Sequence, residues 1–257
     1  MKEKKPGKSR PQRLHGGILP LIAGLGGLAA LTLNRMVQGQ RDAAGLLPRD
    51  CAAYNALWGV TLATLLALGV CAGFCGTDGD PDRNYPHKKC SGGLMLLPGA
   101  LAILAGVLGW LQTGDGIHKA ACVLGVCAGA GLLAWGIAWL LGREPKGYAV
   151  LAAGFWLAAS LVDRFRSWSQ DPQIADYCFR LLAAVWSMLG AYYLAGFPLG
   201  QGRRRRSLFF CWSGAFLCLL GAAGSSSAER IQTIALALWL VCGSPALKLP
   251  AQPEREE

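Results

Sequence analysis

Charge is scarce in this sequence: only 16% of its 257 residues are Asp, Glu, Lys or Arg, against roughly 25% in ordinary soluble domains. That is too little polar surface to clothe a water-soluble fold of this length. Histidine is scarcer still. The three present, His15, His87 and His118, fall in different connecting segments. Neither Gly-x-Ser-x-Gly nor His-Glu-x-x-His occurs, so no catalytic constellation is legible and nothing points to an enzyme or a cofactor. No nucleotide-binding loop and no Cys-x-x-Cys pair is present either, which argues against ATP-driven chemistry and against a paired-thiolate zinc site.

Apolar residues are abundant, at 53% of the chain, and the mean hydropathy is +0.35. The ten cysteines would imply a disulfide framework in a small secreted domain, yet Cys71, Cys122, Cys127, Cys211, Cys218 and Cys242 sit inside apolar runs. There they serve as small, polarisable packing residues. The net charge of +10 does not indicate nucleic acid, because the basic residues flank hydrophobic segments instead of forming a stripe interleaved with aromatics.

An α-helix needs about 20 apolar residues to cross the hydrocarbon, and its backbone groups must pair within the segment. Eight long apolar runs, with what charge they hold close to their ends, qualify at approximately 17–36, 52–74, 92–113, 118–142, 147–163, 175–196, 208–224 and 229–248. The fifth and seventh lie at the short limit. The expected fold is therefore all-α, a polytopic helical bundle spanning a membrane about eight times. A basic tail at 1–16 precedes the bundle at 17–249, and a short tail at 250–257 follows it. The first run resembles a signal peptide, but Leu31-Thr32-Leu33-Asn34-Arg35 offers no small-residue cleavage pattern, so a retained anchor is expected.

Positive residues resist translocation, so alternating segments report orientation. With the N-terminus inside, cytoplasmic segments hold 17 Lys and Arg and outer segments hold 8. An even number of spans in a cytoplasmic membrane, with both ends in the cytoplasm, follows. The halves 17–142 and 147–249 share a layout of polar outer loop, basic inner loop and short outer turn. "NRMVQGQRD…PRDCAAYNALW" faces "DRFRSWSQDPQIADYCFRLLAAVW", which raises a parallel 4+4 repeat as an expectation. Ala121, Gly125 and Gly129 lie four apart, a small-residue stripe for close packing, inside the bundle or between copies in a homo-oligomer.

Three segments attract chemistry. The inner loop "CGTDGDPDRNYPHKKC" alternates Asp78, Asp80, Asp82 and Asn84, but lacks the glycine and distal glutamate of a calcium loop. Cys75, His87 and Cys90, with Cys71 one turn above, do not have zinc spacing. A solvated loop without metal is expected. Arg203, Arg204, Arg205 and Arg206 lie just inside the membrane, as a topology anchor or a contact for anionic lipid. The outer loop at 163–180 packs Asp163, Arg164, Arg166, Asp171, Asp176 and Arg180 among Phe165, Trp168 and Tyr177. An interfacial belt explains it at minimum. Asp176 and Arg180, four apart, can pair on one helix face.

The Arg…Asp-x-x-Gly-Leu-Leu pattern after the first run (Arg35 or Arg41, then Asp42, Gly45, Leu46 and Leu47) and the segment "FRSWSQDPQIADYCFRLLA" resemble a group of uncharacterised multi-pass membrane proteins of anaerobic Firmicutes. The resemblance covers these two loops and their flanking helices. It implies an eight-helix cytoplasmic-membrane protein and carries no activity, substrate or cofactor.

Two functions fit. One is a non-enzymatic membrane component, an assembly or sensor partner of another membrane protein, favoured by the absence of Asp, Glu, Lys or Arg deep in the spans. The other is a permease-like protein binding a small anionic solute at its outer face. For that face Arg35, Asp163, Arg164, Arg166, Asp176 and Arg180 are expected to gather, since Asn34-Arg35 and Asp163-Arg164 end runs of equivalent height.

Overall fold

The computed structural model describes residues 15–41, 48, 51–74, 89–112, 114–143, 148–168, 174–197, 199, 201–223 and 226–244. Among these the chain forms eight α-helices and no strand: α1 (His15–Gly39), α2 (Ala52–Phe74), α3 (Lys89–Trp110), α4 (Gly116–Leu140), α5 (Tyr148–Trp168), α6 (Ile174–Ala195), α7 (Arg204–Gly221) and α8 (Ser227–Gly243). Each expected run holds one helix. The ends differ where charge begins: α5 continues to Trp168 and α7 starts at Arg204. An apolar run stops at its first charged side chain, but a helix does not, since arginine is a good helix former.

Five helices, α1, α2, α3, α4 and α6, are long and apolar enough to cross a membrane. Their outward faces are apolar too. Leu62, Leu66, Val70 and Phe74 of α2 are each more than half exposed, as are Leu21, Leu25 and Leu28 of α1. Water would penalise such a surface heavily, whereas hydrocarbon does not distinguish it from its own chains.

The centre of the bundle is α7. From Ser207 to Leu220 it buries residues on every side, including Leu208, Cys211, Trp212, Phe216 and Leu217, as expected of a helix surrounded by others. It packs against α1, α2, α6 and α8. Its helical length of 18 residues corresponds to about 27 Å. Neighbouring helices cover it along that length.

On the other side, α3 and α4 form a hairpin sealed by glycine. A Cβ on Gly129 would lie 2.8 Å from the Gly99 carbonyl oxygen, and one on Gly92 2.9 Å from that of Gly136. Only hydrogen at these positions allows the two backbones to meet, which gives dispersion contact where no hydrophobic driving force acts. The stripe noted in sequence is thus used within the bundle: Gly129 faces α3, and Gly125 receives the indole of Trp156 from α5. Pro98 interrupts α3 and leaves the Leu94 carbonyl without its helical donor. The Cys242 thiol of α8 is directed at that oxygen at 3.8 Å, so a neighbouring helix answers the gap.

The neighbours in the two halves differ. α6 packs extensively on α7, whereas α2 and α3, the corresponding pair of a 4+4 repeat, share at most marginal contact; α2 lies on α7 instead. The packing lends the repeat no support. The loop containing Asp78, Asp80, Asp82, Asn84, Cys75, His87 and Cys90 lies outside the residues whose side chains are described.

Candidate functional site

The turn from α3 to α4 organises one end of the bundle. Asp115 is the N-cap of α4, with extended backbone (φ −74°, ψ 178°), and its Oδ1 accepts from the His118 backbone N–H at 3.3 Å. The other oxygen accepts from Arg166 Nη1 at 2.9 Å. One carboxylate therefore satisfies a helix terminus and ties the end of α5 to it.

One turn into the bundle, His118 Nδ1 lies 2.8 Å from Asp163 Oδ2, while Nε2 lies 3.2 Å from the Gly109 carbonyl and 3.7 Å from Cys122 Sγ. Glycine makes the room. The ring of His118 occupies the space a Cβ at Gly114 would need, and a Cβ at Gly109 would lie 2.8 Å from Cys122 Sγ.

The far wall comes from α8. Ser226 and Glu229 form a reciprocal capping box, the arrangement that satisfies two orphan donors of a helix start. Glu229 also faces two guanidinium groups, with Oε1 4.0 Å from Arg164 Nε and Oε2 3.6 Å from Arg180 Nη1. Arg164 Nη2 donates to Gln232 Oε1 at 2.6 Å, and Gln232 Nε2 donates to Ser160 Oγ at 3.2 Å. Arg164 is the most enclosed of these cations, its side chain 13% exposed.

Between these walls lies a cavity of about 440 Å³. Gln112, Asp115 and Arg166 are exposed at its mouth, and the buried Ala105, Ala121 and Trp156 lie deeper. Its size suits a small organic molecule, and its lining mixes an apolar wall with convergent polar groups, the usual constitution of a binding site.

Four of the residues expected at this face, Asp163, Arg164, Arg166 and Arg180, do lie around the cavity or immediately behind it. They stand on helices, not in a loop, because α5 runs three turns beyond Val150-to-Leu157 packing and carries its charges with it. Arg35 is a correction: it is exposed on α1 and is not part of the cavity lining. α1 packs on α2 and α7, while α5 packs on α4 and α6, so equal height did not mean equal side. Asp176 lies in the first turn of α6, but its side chain lies outside the description. Nor is His118 isolated in a loop, as expected; it opens α4 and binds Asp163. Asp115, His118, Glu229, Gln232, Ser160 and Cys122 went unrecognised. Asp115-x-x-His118 and Ser226-x-x-Glu229 carry capping spacing, which could have flagged two of the pairs.

At another point, Arg203 caps α7 without a side-chain bond, and Arg206 Nη1 donates to Tyr193 Oη at 3.5 Å. Tyr193 stacks on Phe210 at 5.2 Å. Among the described residues no group of three His, Cys, Asp or Glu is placed to hold a metal ion. Comparison with protein-family models, with curated proteins and with solved structures finds no match to this chain.

Proposed function

We propose that the chain is an eight-span membrane protein whose Asp115–His118 end faces outward and binds a small solute bearing a carboxylate or phosphate group, in the manner of a permease or solute receptor. The single observation behind it is the cavity of about 440 Å³ lined by the guanidinium groups of Arg164 and Arg166, the Gln232 amide and the Ser160 hydroxyl. Guanidinium forks recognise paired oxygens, and the carboxylates of Asp115 and Glu229 hold those of Arg166 and Arg164 in position. An assembly or sensor role needs no such cavity.

The orientation rests on the 17-to-8 distribution of Lys and Arg under the positive-inside rule, while the resemblance of the two loops to multi-pass proteins bears only on the eight-span count. The remaining helices, α5, α7 and α8, complete the eight spans, α7 and α8 largely within the packed interior and α5 with Phe155, Val162 and Phe165 turned outward. Arg203 to Arg206 then lie at the cytoplasmic face, where each basic residue near anionic lipid contributes about 1 kcal/mol.

A thermal-shift screen of the purified full chain against succinate, inorganic phosphate and neutral sugars tests the binding. Stabilisation by an anionic solute, lost in Arg164→Gln, is expected. No shift with any anion, or an unchanged shift in the variant, would sink the proposal. Reporter fusions at residue 205 check the orientation: an extracellular signal there reverses it.

A further inference from the structure

Three groups at the cavity form a relay that solute binding does not require. Cys122 Sγ stands 3.7 Å from His118 Nε2, and His118 Nδ1 stands 2.8 Å from Asp163 Oδ2. A nucleophile, a base and a carboxylate that orients the base lie in line, at distances appropriate to sulfur and to a charge-assisted bond. Both Cys122 and His118 line the cavity, so a molecule bound there meets the sulfur. We propose that Cys122 is a nucleophile for acyl transfer, with His118 as its general base and Asp163 as the residue that positions His118, acting on an ester or thioester.

The surroundings supply more than proximity. When the ring takes a proton from the thiol it becomes a donor at both nitrogens. Nδ1–H then faces Asp163 and Nε2–H faces the Gly109 carbonyl at 3.2 Å, so both donors of the imidazolium are met. The two glycines that give way to the pair, Gly109 and Gly114, keep the sulfur and ring free of a neighbouring side chain. Ala105, Ala121 and Trp156 form an apolar wall suited to an acyl chain, and Gln112, Asp115 and Arg166 form a polar mouth suited to a leaving group.

The chemistry balances with water as the co-reactant. The thiol proton passes to His118 Nε2 as sulfur attacks the carbonyl carbon; the tetrahedral adduct collapses, the C–O or C–S bond to the leaving group breaks, and His118 returns the proton to the departing alcohol or thiol. Water, or another acceptor hydroxyl, then attacks the Cys122 thioester. His118 removes its proton and delivers it to sulfur, releasing the acid or the new ester. Nothing is oxidised or reduced.

Full-length protein in lipid nanodiscs, treated with p-nitrophenyl acetate and mapped by mass spectrometry, provides the test. Cys178, half-buried at the start of α6, is an internal comparator in the same molecule. Acetylation of Cys122 is expected to outpace that of Cys178 in the unaltered protein, so no variant has to fold for this comparison. His118→Gln should slow Cys122 acylation by about 100-fold or more, and Asp163→Asn should displace its pH profile, an effect that packing loss alone would not produce. Absence of both a Cys122 adduct and p-nitrophenolate release, a Cys122 rate no greater than that of Cys178, or an unchanged rate in His118→Gln would each overturn the proposal. Because none of these readouts involves solute-induced stabilisation, failure here is distinguishable from failure of the solute site.

Discussion

Where α3 meets α4, backbone touches backbone, with hydrogen alone at Gly92, Gly99, Gly129 and Gly136 and no polar side chain required. Where α5 faces α8, the backbones make at most marginal contact, and Ser160, Arg164, Glu229 and Gln232 reach across the interval. The first joins helices by close packing of small residues and the second by polar side chains, two ways in which helices are held together without a large apolar interface. The first leaves no space. The second leaves a cavity, because long polar side chains hold helices apart as well as together. A membrane bundle can thus be closed at one seam and open at another without any helix changing length.

The largest effect should come from forcing space into the closed seam. Gly129→Leu places a side chain 2.8 Å from the Gly99 carbonyl at its first carbon, and should destabilise by about 3 kcal/mol, high in the range for overpacking since backbone must move. Thermal unfolding in nanodiscs measures it; a variant as stable as the parent would show that the seam is loose. Next comes Arg164→Met, which takes one of two facing guanidinium groups from Glu229. A loss of about 2 kcal/mol is expected, below the cost of stranding a carboxylate altogether because Arg180 stays. Adding Glu229→Gln should restore part of it, and strict additivity of the two would refute the coupling.

Gln232→Leu removes the bridge to Ser160 and should cost about 1 kcal/mol, the measured scale for interhelical hydrogen bonds in lipid. Smallest is Arg166→Ala. Its pair with Asp115 is more than half exposed on both sides, so stability should change by no more than about 0.5 kcal/mol. A larger loss would mean that the cap of α4 depends on that arginine.

The closed seam was easier to read than the open one. Apolar run length, combined with the need to pair backbone in lipid, located all eight helices, and the spacing of Ala121, Gly125 and Gly129 marked a packing face. Charge clustered in one stretch also exposed Asp163, Arg164, Arg166 and Arg180. Their partners were another matter. Gln232 lies 68 residues along the chain from Arg164, with Glu229 one turn before it, and periodicity carries no information about which helices become neighbours. Arg35 illustrates the same blindness, since depth in the membrane can be counted along a chain but position around a bundle cannot. His118 was discounted because histidines were compared with each other and not with Asp163, 45 residues on.

The enclosed position of α7 bears on how the molecule is made. The ribosome delivers α1 to α6 before α7 exists, so the helices that will contact it, α1, α2 and α6, must wait beside a vacancy or fill it provisionally. As one of the eight proposed spans, α7 has three arginines at its leading end and behind them a stretch from Ser207 to Gly221 that includes two serines, shorter than a freely inserting segment of about 20 apolar residues. In the proposed eight-span arrangement its entry is then driven by the groove that α1, α2 and α6 present, and α8, which follows it in the chain, closes the remaining side.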